Sequence, residues 1–222
     1  MDSLRNWMAR ARPARTMLQG RYCRLEPLDP IKHGDDLFAA SMAPGAEERF
    51  RYLFDVPMDR VAYTQWLERS ARSEDPLFFA VIDSATGRAE GRQALMRITP
   101  EHGVVEIGNI LWGPAISRTR VSSEALYLHA KHIFEDLGYR RFEWKCNSRN
   151  APSLSAAKRF GFTYEGLFRQ HTVQKGENRD TAWLSMLDSE WPRLKAAYER
   201  WLAPENFDAQ GKQKVKLQTH PK

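Results

Sequence analysis

Two arginines and two serines stand at the start of an amphipathic helix, an arrangement that can bind phosphate. Arg118 and Arg120 flank Thr119, and Ser122 and Ser123 open the helix itself. A helix N-terminus offers free N–H donors and the positive end of the helix dipole. Guanidinium groups and hydroxyls would add further hydrogen bonds, some of them charge-assisted. The alternative interpretation is an ordinary capped helix that carries two solvated arginines.

The composition limits the classes of protein to which the chain can belong. Its 222 residues suffice for one domain with a buried core, and 42% hydrophobic and 11% aromatic residues indicate a globular protein. There is no apolar run of about eighteen residues, so we expect no transmembrane helix. The net charge of +6 suits a polyphosphate ligand or a nucleic-acid surface and does not choose between them.

Both ends of the chain are polar and basic. Residues 1–19 contain four arginines and one acid, which is typical of a mitochondrial transit peptide or of a flexible basic leader. The segment has no apolar core of secretory length, so we expect no signal peptide. Of the two interpretations we favour the flexible leader. Residues 203–222 contain four lysines and two acids without hydrophobic periodicity. We predict that this tail is disordered.

The cysteines and histidines indicate neither a disulfide framework nor a metal site. Cys23 and Cys146 lie in apolar, strand-like runs, so we expect both to be reduced core residues of a cytoplasmic protein. The six histidines are scattered and form no paired-ligand spacing. We therefore predict no metal.

Apolar periodicity and turn signals divide the chain into strands and helices. Strand patterns cover residues 20–29, 76–83, 92–99, 104–113, 139–147, 162–173 and 180–187. Helix patterns cover residues 31–42, 57–70, 122–137, 151–161 and 188–202. Three consecutive strands form an antiparallel meander, and the last two form a hairpin. This order predicts a mixed sheet with helices on its faces, an α/β (α+β) single domain.

Three segments carry motifs in a fixed order: EIGNILWGP (106–114) ahead of a helix that begins with SEAL, NAPSLSAAKRFGF (150–162), and FRQHTVQKGENRDTAWLSML (168–187). Together they resemble the GNAT superfamily of acetyl-CoA-dependent N-acetyltransferases, and most closely its RimJ/RimL-type branch. The resemblance covers about residues 20–202. It implies a GNAT-like domain with a mostly antiparallel sheet, splayed central strands and helices on both faces. It also implies an acyltransferase that moves an acetyl group directly to a primary amine in a ternary complex.

The resemblance places acetyl-CoA, the co-substrate, along the centre of the domain. The backbone of Ile110, Leu111 and Trp112 would meet the pantetheine arm in the gap between two splayed strands. The loop that would meet the pyrophosphate contains Arg118, Arg120, Val121, Ser122 and Ser123. The family's loop carries a glycine that no alignment of residues 117–123 retains, so we expect a rewired loop that still binds phosphate. Asn150, which is also a good helix N-cap, would contact the cofactor.

The same resemblance suggests two catalytic residues. Glu106 lies on the strand that often carries the family's general base, where it could take the proton of the amine directly or through water. Its alternative is a glutamate that faces solvent or pairs with an arginine. The family's acidic tyrosine corresponds to Ala157 here, so Ser153 becomes the candidate that protonates the leaving thiolate. Ser153 can equally be a helix-turn serine that bonds to backbone.

The resemblance assigns the acceptor site to the C-terminal hairpin, with Arg169, His171 and Trp183 as candidates. Trp183 could instead be a core residue. The acceptor itself, a protein N-terminus or a small-molecule amine, is not readable from the sequence. We keep two alternative functions. The first is a catalytically silent protein that binds CoA or a partner, and the second, ranked last, is a nucleic-acid-binding module. We expect no membrane partner, and the oligomeric state, a homodimer included, stays open.

Overall fold

The computed structural model describes residues 4–219. Within them one eight-stranded sheet, in the order β1-β2-β3-β4-β5-β6-β8-β7, is covered by helices. Its strands are β1 (Leu18–Gln19), β2 (Cys23–Pro27), β3 (Leu77–Asp83), β4 (Ala89–Thr99), β5 (Val104–Trp112), β6 (Arg141–Asn147), β7 (Thr163–Gln174) and β8 (Glu177–Leu187). The helices are α1 (Pro30–Met42), α2 (Ala46–Phe50), α3 (Arg60–Arg72), α4 (Arg120–Lys131), α5 (Ala151–Arg159) and α6 (Trp191–Leu202). The predicted fold class is confirmed.

The central strands β5 and β6 pair only at their first residues. They are parallel neighbours from Val104, opposite Arg141, to Ile107, opposite Trp144, whereas the other neighbouring strands of the sheet pair antiparallel. A parallel pair needs a long crossover connection, and α4 supplies it. Beyond Ile107 the register between the two strands ends, while β5 runs on to Trp112. The predicted splay of the central strands is thus present, and it opens a gap in the sheet.

The sheet separates two hydrophobic cores. Helices α4 and α6 contribute to the larger core on one face, and α1 and α3 contribute to the smaller core on the other. The larger core contains Leu126 and Ile133, which are 0% exposed. Truncating one such side chain to alanine costs about 2–5 kcal/mol. None of the helices within residues 4–219 has both the length and the apolar character needed to cross a bilayer.

Side-chain caps fix where the helices near the gap begin. Thr119 caps α4 by accepting the N–H of Val121 at 3.2 Å, and Asn150 caps α5 by accepting the N–H of Ser153 at 3.1 Å. Helix α4 therefore starts at Arg120, two residues before the predicted start. At its other end a π-helical turn, His132–Asp136, continues it. The short helix α2 was missed, because five residues cannot show helical periodicity.

The N-terminal segment differs from the flexible leader expected from the sequence. The indole N–H of Trp7 donates to the carbonyl of Glu101 at 2.8 Å, and the N–H of Arg10 donates to the carbonyl of Pro100 at 3.0 Å. Strand β1 then pairs with β2. The physical reason is that isolated anchors such as Trp7 hold the segment without any periodic pattern. Residues 1–3 of the leader lie outside the described residues.

The C-terminal segment likewise differs from the disordered tail expected. Phe207 and Leu217 are buried in the larger core at 7% and 9% exposure. Phe207 packs edge-on against Trp201, with ring centroids 5.1 Å apart. Two apolar residues ten positions apart give no periodic signal, yet they hold the segment against α6. Residues 220–222 of the predicted tail lie outside the part of the chain that the structure describes.

Candidate active site

A cavity of about 880 Å³ runs along the gap between β5 and β6. We call one end the helix end; it is lined by residues 117–120, 122, 123, 159 and 211–213. We call the other the glutamate end; it is lined by residues 48, 49, 52–54, 97, 106, 145 and 179. Among residues 4–219 no group of three or more His, Cys, Asp or Glu side chains is arranged to hold a metal ion.

Glu106 lies at the glutamate end, 3% exposed and held by two cations. Both of its carboxylate oxygens lie 2.8 Å from Nη1 of Arg97, and Oε2 lies 2.9 Å from Nζ of Lys145. Its neighbour on β6, Glu143, binds the same ammonium at 2.7 Å. Lys145 thus bridges two carboxylates, of which Glu106 lines the cavity. Glu106 thus pairs with an arginine, as the alternative interpretation expected, and its role as a base stays a prediction.

A bulge interrupts β5 where the gap opens. Ala94 of β4 pairs with Gly108, but Arg92 pairs with Leu111, so Asn109 and Ile110 together face a single residue of β4. Asn109 adopts φ 50°, in the left-handed region. Bulges of this kind redirect backbone groups and end regular pairing. The predicted contact residues Ile110, Leu111 and Trp112 all line the cavity.

Arg118 adopts a left-handed backbone conformation, which glycine occupies without strain. Its φ is 62°, and its exposed side chain lines the helix end. The side chain of Arg120 packs on two aromatic rings instead. Its guanidinium lies 4.3 Å from the ring centroid of Tyr22 and 5.2 Å from that of Phe207. The two arginines of the loop therefore differ: Arg118 is exposed, and Arg120 is packed on aromatic rings.

The two predicted serines line the cavity, but their hydroxyls are already bonded within the loop. The hydroxyls of Ser122 and Ser123 each donate to the carbonyl of Thr119 at 3.1 Å, and both residues are 1% exposed. Val121 is also buried, at 8% exposure. In this geometry the serines stabilise the helix start, and the free donors are backbone N–H groups of the first turn.

Two cations at the helix end were not found from the sequence. Arg159, on α5, donates from Nη1 to the Ser123 hydroxyl at 3.1 Å, and burial lowers the pKa of its guanidinium. Lys212 comes from the C-terminal segment. Neither residue belongs to a spacing that signals phosphate binding. Together with Arg118 and Arg120 they make this end strongly positive, and no Asp or Glu is among its lining residues within 4–219.

Ser153 and Asn150 both line the cavity at the start of α5. The Ser153 hydroxyl accepts the indole N–H of Trp144 at 3.0 Å. Burial raises the pKa of the Cys146 thiol, which makes Cys146 a poor nucleophile. Ala157, at the position of the family's tyrosine, is fully buried and offers no group to the cavity.

The three predicted acceptor residues of the hairpin do not line the cavity. The ring of Trp183 stacks on Phe168 at a centroid distance of 4.4 Å, and Nζ of Lys145 lies 3.8 Å from the Trp183 ring centroid. Nδ1 of His171 contacts the Thr181 hydroxyl at 3.0 Å. Arg169 is exposed. A register shift between Phe168 and Thr172 makes the β7 strand irregular where Arg169 and His171 lie. Arg179, from the same hairpin, lines the glutamate end instead.

Comparison with known proteins agrees with this geometry. A model of the acetyltransferase (GNAT) domain matches residues 24–163, more than half of the chain. The crystal structure of a GCN5-related N-acetyltransferase from Brucella melitensis is 58% identical, with a TM-score of 0.95, over 96% of this chain and 97% of that one. The uncharacterised N-acetyltransferase p20 of Bacillus licheniformis is 30% identical over 117 residues, 51% of this chain. That alignment spans only 63% of the length of p20.

A more distant structure shares the fold alone. RimL, a ribosomal L7/L12 alpha-N-protein acetyltransferase, is 18% identical with a TM-score of 0.67. The alignment covers 78% of this chain and 94% of RimL. The fold expected from the three motifs is therefore the fold of these proteins.

Proposed function

Because the chain belongs to the GNAT acetyltransferase family, we propose that it transfers the acetyl group of acetyl-CoA directly to a primary amine in a ternary complex. The observation that carries the proposal is the cavity along the gap between β5 and β6. It joins a cationic helix N-terminus at one end to a buried carboxylate at the other. Direct transfer needs such a passage, because the amine must reach the thioester while both substrates are bound.

At the helix end the residues present fit the phosphates of acetyl-CoA. The N–H groups of the first turn of α4 and the dipole of that helix attract an anion. Arg118, Arg159 and Lys212 would add charge-assisted hydrogen bonds. Arg120, which stacks on two aromatic rings, would contribute its charge.

In the gap the backbone of β5 would bind the pantetheine arm. Residues 110–112 have no partner on β6 in the described ladder, which ends at Ile107. An arm with two amides can pair with such an edge as a short extra strand. A backbone N–H released by the bulge at Asn109 and Ile110 would then polarise the thioester carbonyl.

The reaction proceeds by attack of the neutral amine on the thioester carbon. A C–N bond forms, the C–S bond breaks, and the proton of the amine passes to Glu106 directly or through one water. The leaving thiolate takes a proton from Ser153 or leaves as the anion, since thiolates are tolerable leaving groups. Arg97 and Lys145 would keep the carboxylate of Glu106 pointing into the cavity.

Calorimetric titration with acetyl-CoA and with CoA tests the first half of the proposal. Micromolar binding is expected, and no binding would overturn it. The second half is tested by incubating the protein and acetyl-CoA with a panel of primary amines and measuring thiol release. Binding without thiol release from any amine would favour the catalytically silent alternative, which the alanine at position 157 supports.

A further inference from the structure

The cations and acids of the glutamate end do not balance. Its lining contains the cations Arg49, Arg97, Lys145 and Arg179 and the acids Glu48 and Glu106. The two ion pairs of Glu106 with Arg97 and Lys145 account for three of these groups. Glu48 pairs with Arg51 at 3.4 Å, and both of those side chains are more than 60% exposed. Two guanidinium groups, those of Arg49 and Arg179, remain to be explained.

Arg49 has a structural role that uses most of its donors. Its Nη1 donates to the carbonyl of Pro44 at 2.9 Å, and its Nη2 donates to the carbonyls of Ser41 and Ala43. These bonds tie α2 to the end of α1. Arg49 therefore needs no ligand to account for its position.

Arg179 has no comparable partner. Its Nε donates to the Thr181 hydroxyl at 3.2 Å, and its guanidinium lies 5.2 Å from the ring centroid of Phe54. Within residues 4–219 no carboxylate lies within 4.0 Å of it, and its two terminal nitrogens have no protein acceptor. The side chain is half-buried, and burial lowers the pKa of the guanidinium.

A half-buried cation without a counter-charge is costly, and binding an anion relieves that cost. Groups near Arg179 include Glu106, Cys146 and another cation, Arg97. Glu106 is already held by two ion pairs, so it does not satisfy Arg179. The two terminal nitrogens of a guanidinium present the planar fork that a carboxylate or a phosphate accepts.

We infer that the acceptor is an amine that also carries a carboxylate or phosphate, and that Arg179 binds this anionic group while the amine lies beside Glu106. The inference deepens the proposed function and rests on it. Arg179 is then a specificity-determining residue. The same charge pattern disfavours polycationic acceptors, which the unpaired cation would repel.

The test compares paired acceptors with and without the negative charge, and kcat/KM is expressed per neutral amine because the members of a pair differ in amine basicity. Three pairs are used: glycine and glycinamide, O-phosphoethanolamine and ethanolamine, and tripeptide amides that begin with glutamate or with glutamine. For the wild-type protein we expect kcat/KM to favour the charged member of at least one pair by about 10- to 100-fold. The pair that shows the preference identifies the source of the anion.

Variants of Arg179 separate recognition from structure. Arg179→Gln should abolish the preference by weakening transfer to the charged amine alone, whereas Arg179→Lys should keep part of it. Arg69→Gln, an exposed arginine on α3, is the matched control and should keep the full preference. Equal loss with charged and neutral amines in Arg179→Gln would mean a structural role only and would overturn the inference.

A binding measurement distinguishes failure of the inference from failure of the proposed function. Calorimetry with the CoA-saturated protein compares the charged and neutral members of each pair. If the wild-type protein binds or acetylates both members equally, the inference is wrong although the transferase function stands. If charged amines bind through Arg179 but no amine is ever acetylated, Arg179 is an anion-binding residue, and both the transferase function and the assignment of the acceptor fail.

Discussion

The two ends of the cavity bind charge in different ways. At the helix end the cations have no acidic partners among the described lining residues, and backbone N–H groups provide the remaining donors. At the glutamate end the carboxylate of Glu106 is enclosed by Arg97 and Lys145, and Lys145 also binds Glu143. The helix end therefore carries positive charge without counter-charges. At the glutamate end the charges nearly cancel, and one cation has no partner.

The two ends should therefore differ in how well they tolerate sequence change. A site made of a helix N-terminus and several separate cations loses little when one member is replaced, since each contributes independently. A buried network shares its partners, so removing one charge leaves others uncompensated. The helix end should thus tolerate single substitutions, whereas the glutamate end should be sensitive at single residues.

The largest effect is expected from Glu106→Gln. Loss of the general base should lower kcat by about 10²- to 10³-fold at neutral pH, with little change in the Kd for acetyl-CoA. Steady-state kinetics and calorimetry measure the two quantities, and thermal melting verifies that the variant is folded. The matched control is Glu143→Gln, which removes the other carboxylate from Lys145 but does not line the cavity. Wild-type turnover in Glu106→Gln would remove Glu106 as the base.

The next effect comes from reversing two charges at the helix end. The double variant Arg118→Glu with Arg120→Glu should raise the Kd for acetyl-CoA by roughly 10- to 100-fold, because each reversal replaces attraction of phosphate by repulsion. Calorimetry at two salt concentrations measures it, since the field of exposed charges weakens with salt. The control with the same change in net charge is Arg69→Glu with Arg72→Glu on α3. An unchanged Kd in the first variant would contradict the phosphate role.

A smaller effect is expected from the C-terminal segment. Lys212→Ala removes one cation at the rim of the helix end and should raise the Kd for acetyl-CoA by about 2- to 5-fold, as is usual for an exposed charge. Lys216→Ala, four residues later on the same exposed segment, should leave the Kd unchanged. Equal effects in both variants would mean that the segment acts only through its overall charge.

The smallest effect separates the backbone of the loop from its side chains. In the variant Arg118→Gly, glycine adopts the left-handed conformation without strain. The free energy of unfolding should therefore rise by up to about 1 kcal/mol. The Kd for acetyl-CoA should rise by about threefold, because one charge is lost. Denaturant titration and calorimetry test the two parts separately. A loss of stability would contradict the glycine-like role of this position.

Local signals in the sequence predicted the elements around the gap. Asn150 caps α5 as expected, and Gly138 and Gly161 follow their helices with φ of 64° and 97°. The splayed strands, in contrast, were expected from the family resemblance rather than from any local pattern. The parallel pairing of β5 with β6 follows once a helix separates two neighbouring strands.

What could not be predicted depends on contacts between distant residues. Arg159 and Lys212 meet at the helix end although they are far apart in sequence. Trp183 and Arg179 lie four residues apart on β8, yet Trp183 packs against Phe168 whereas Arg179 lines the glutamate end. The serines at 122 and 123 have the right chemistry, yet the carbonyl of Thr119 accepts from both hydroxyls. These placements depend on tertiary packing, which local sequence patterns do not predict.

The aromatic lining of the cavity has a practical consequence. Three of the seven tryptophans, Trp112, Trp144 and Trp201, line it, and Trp201 stands at the helix end, where it packs against Phe207 and Arg159. Indole emission responds to a nearby purine ring and to the removal of water. The unlabelled protein thus contains its own optical reporter, and replacing Trp201 with phenylalanine would show how much of the signal arises at that end.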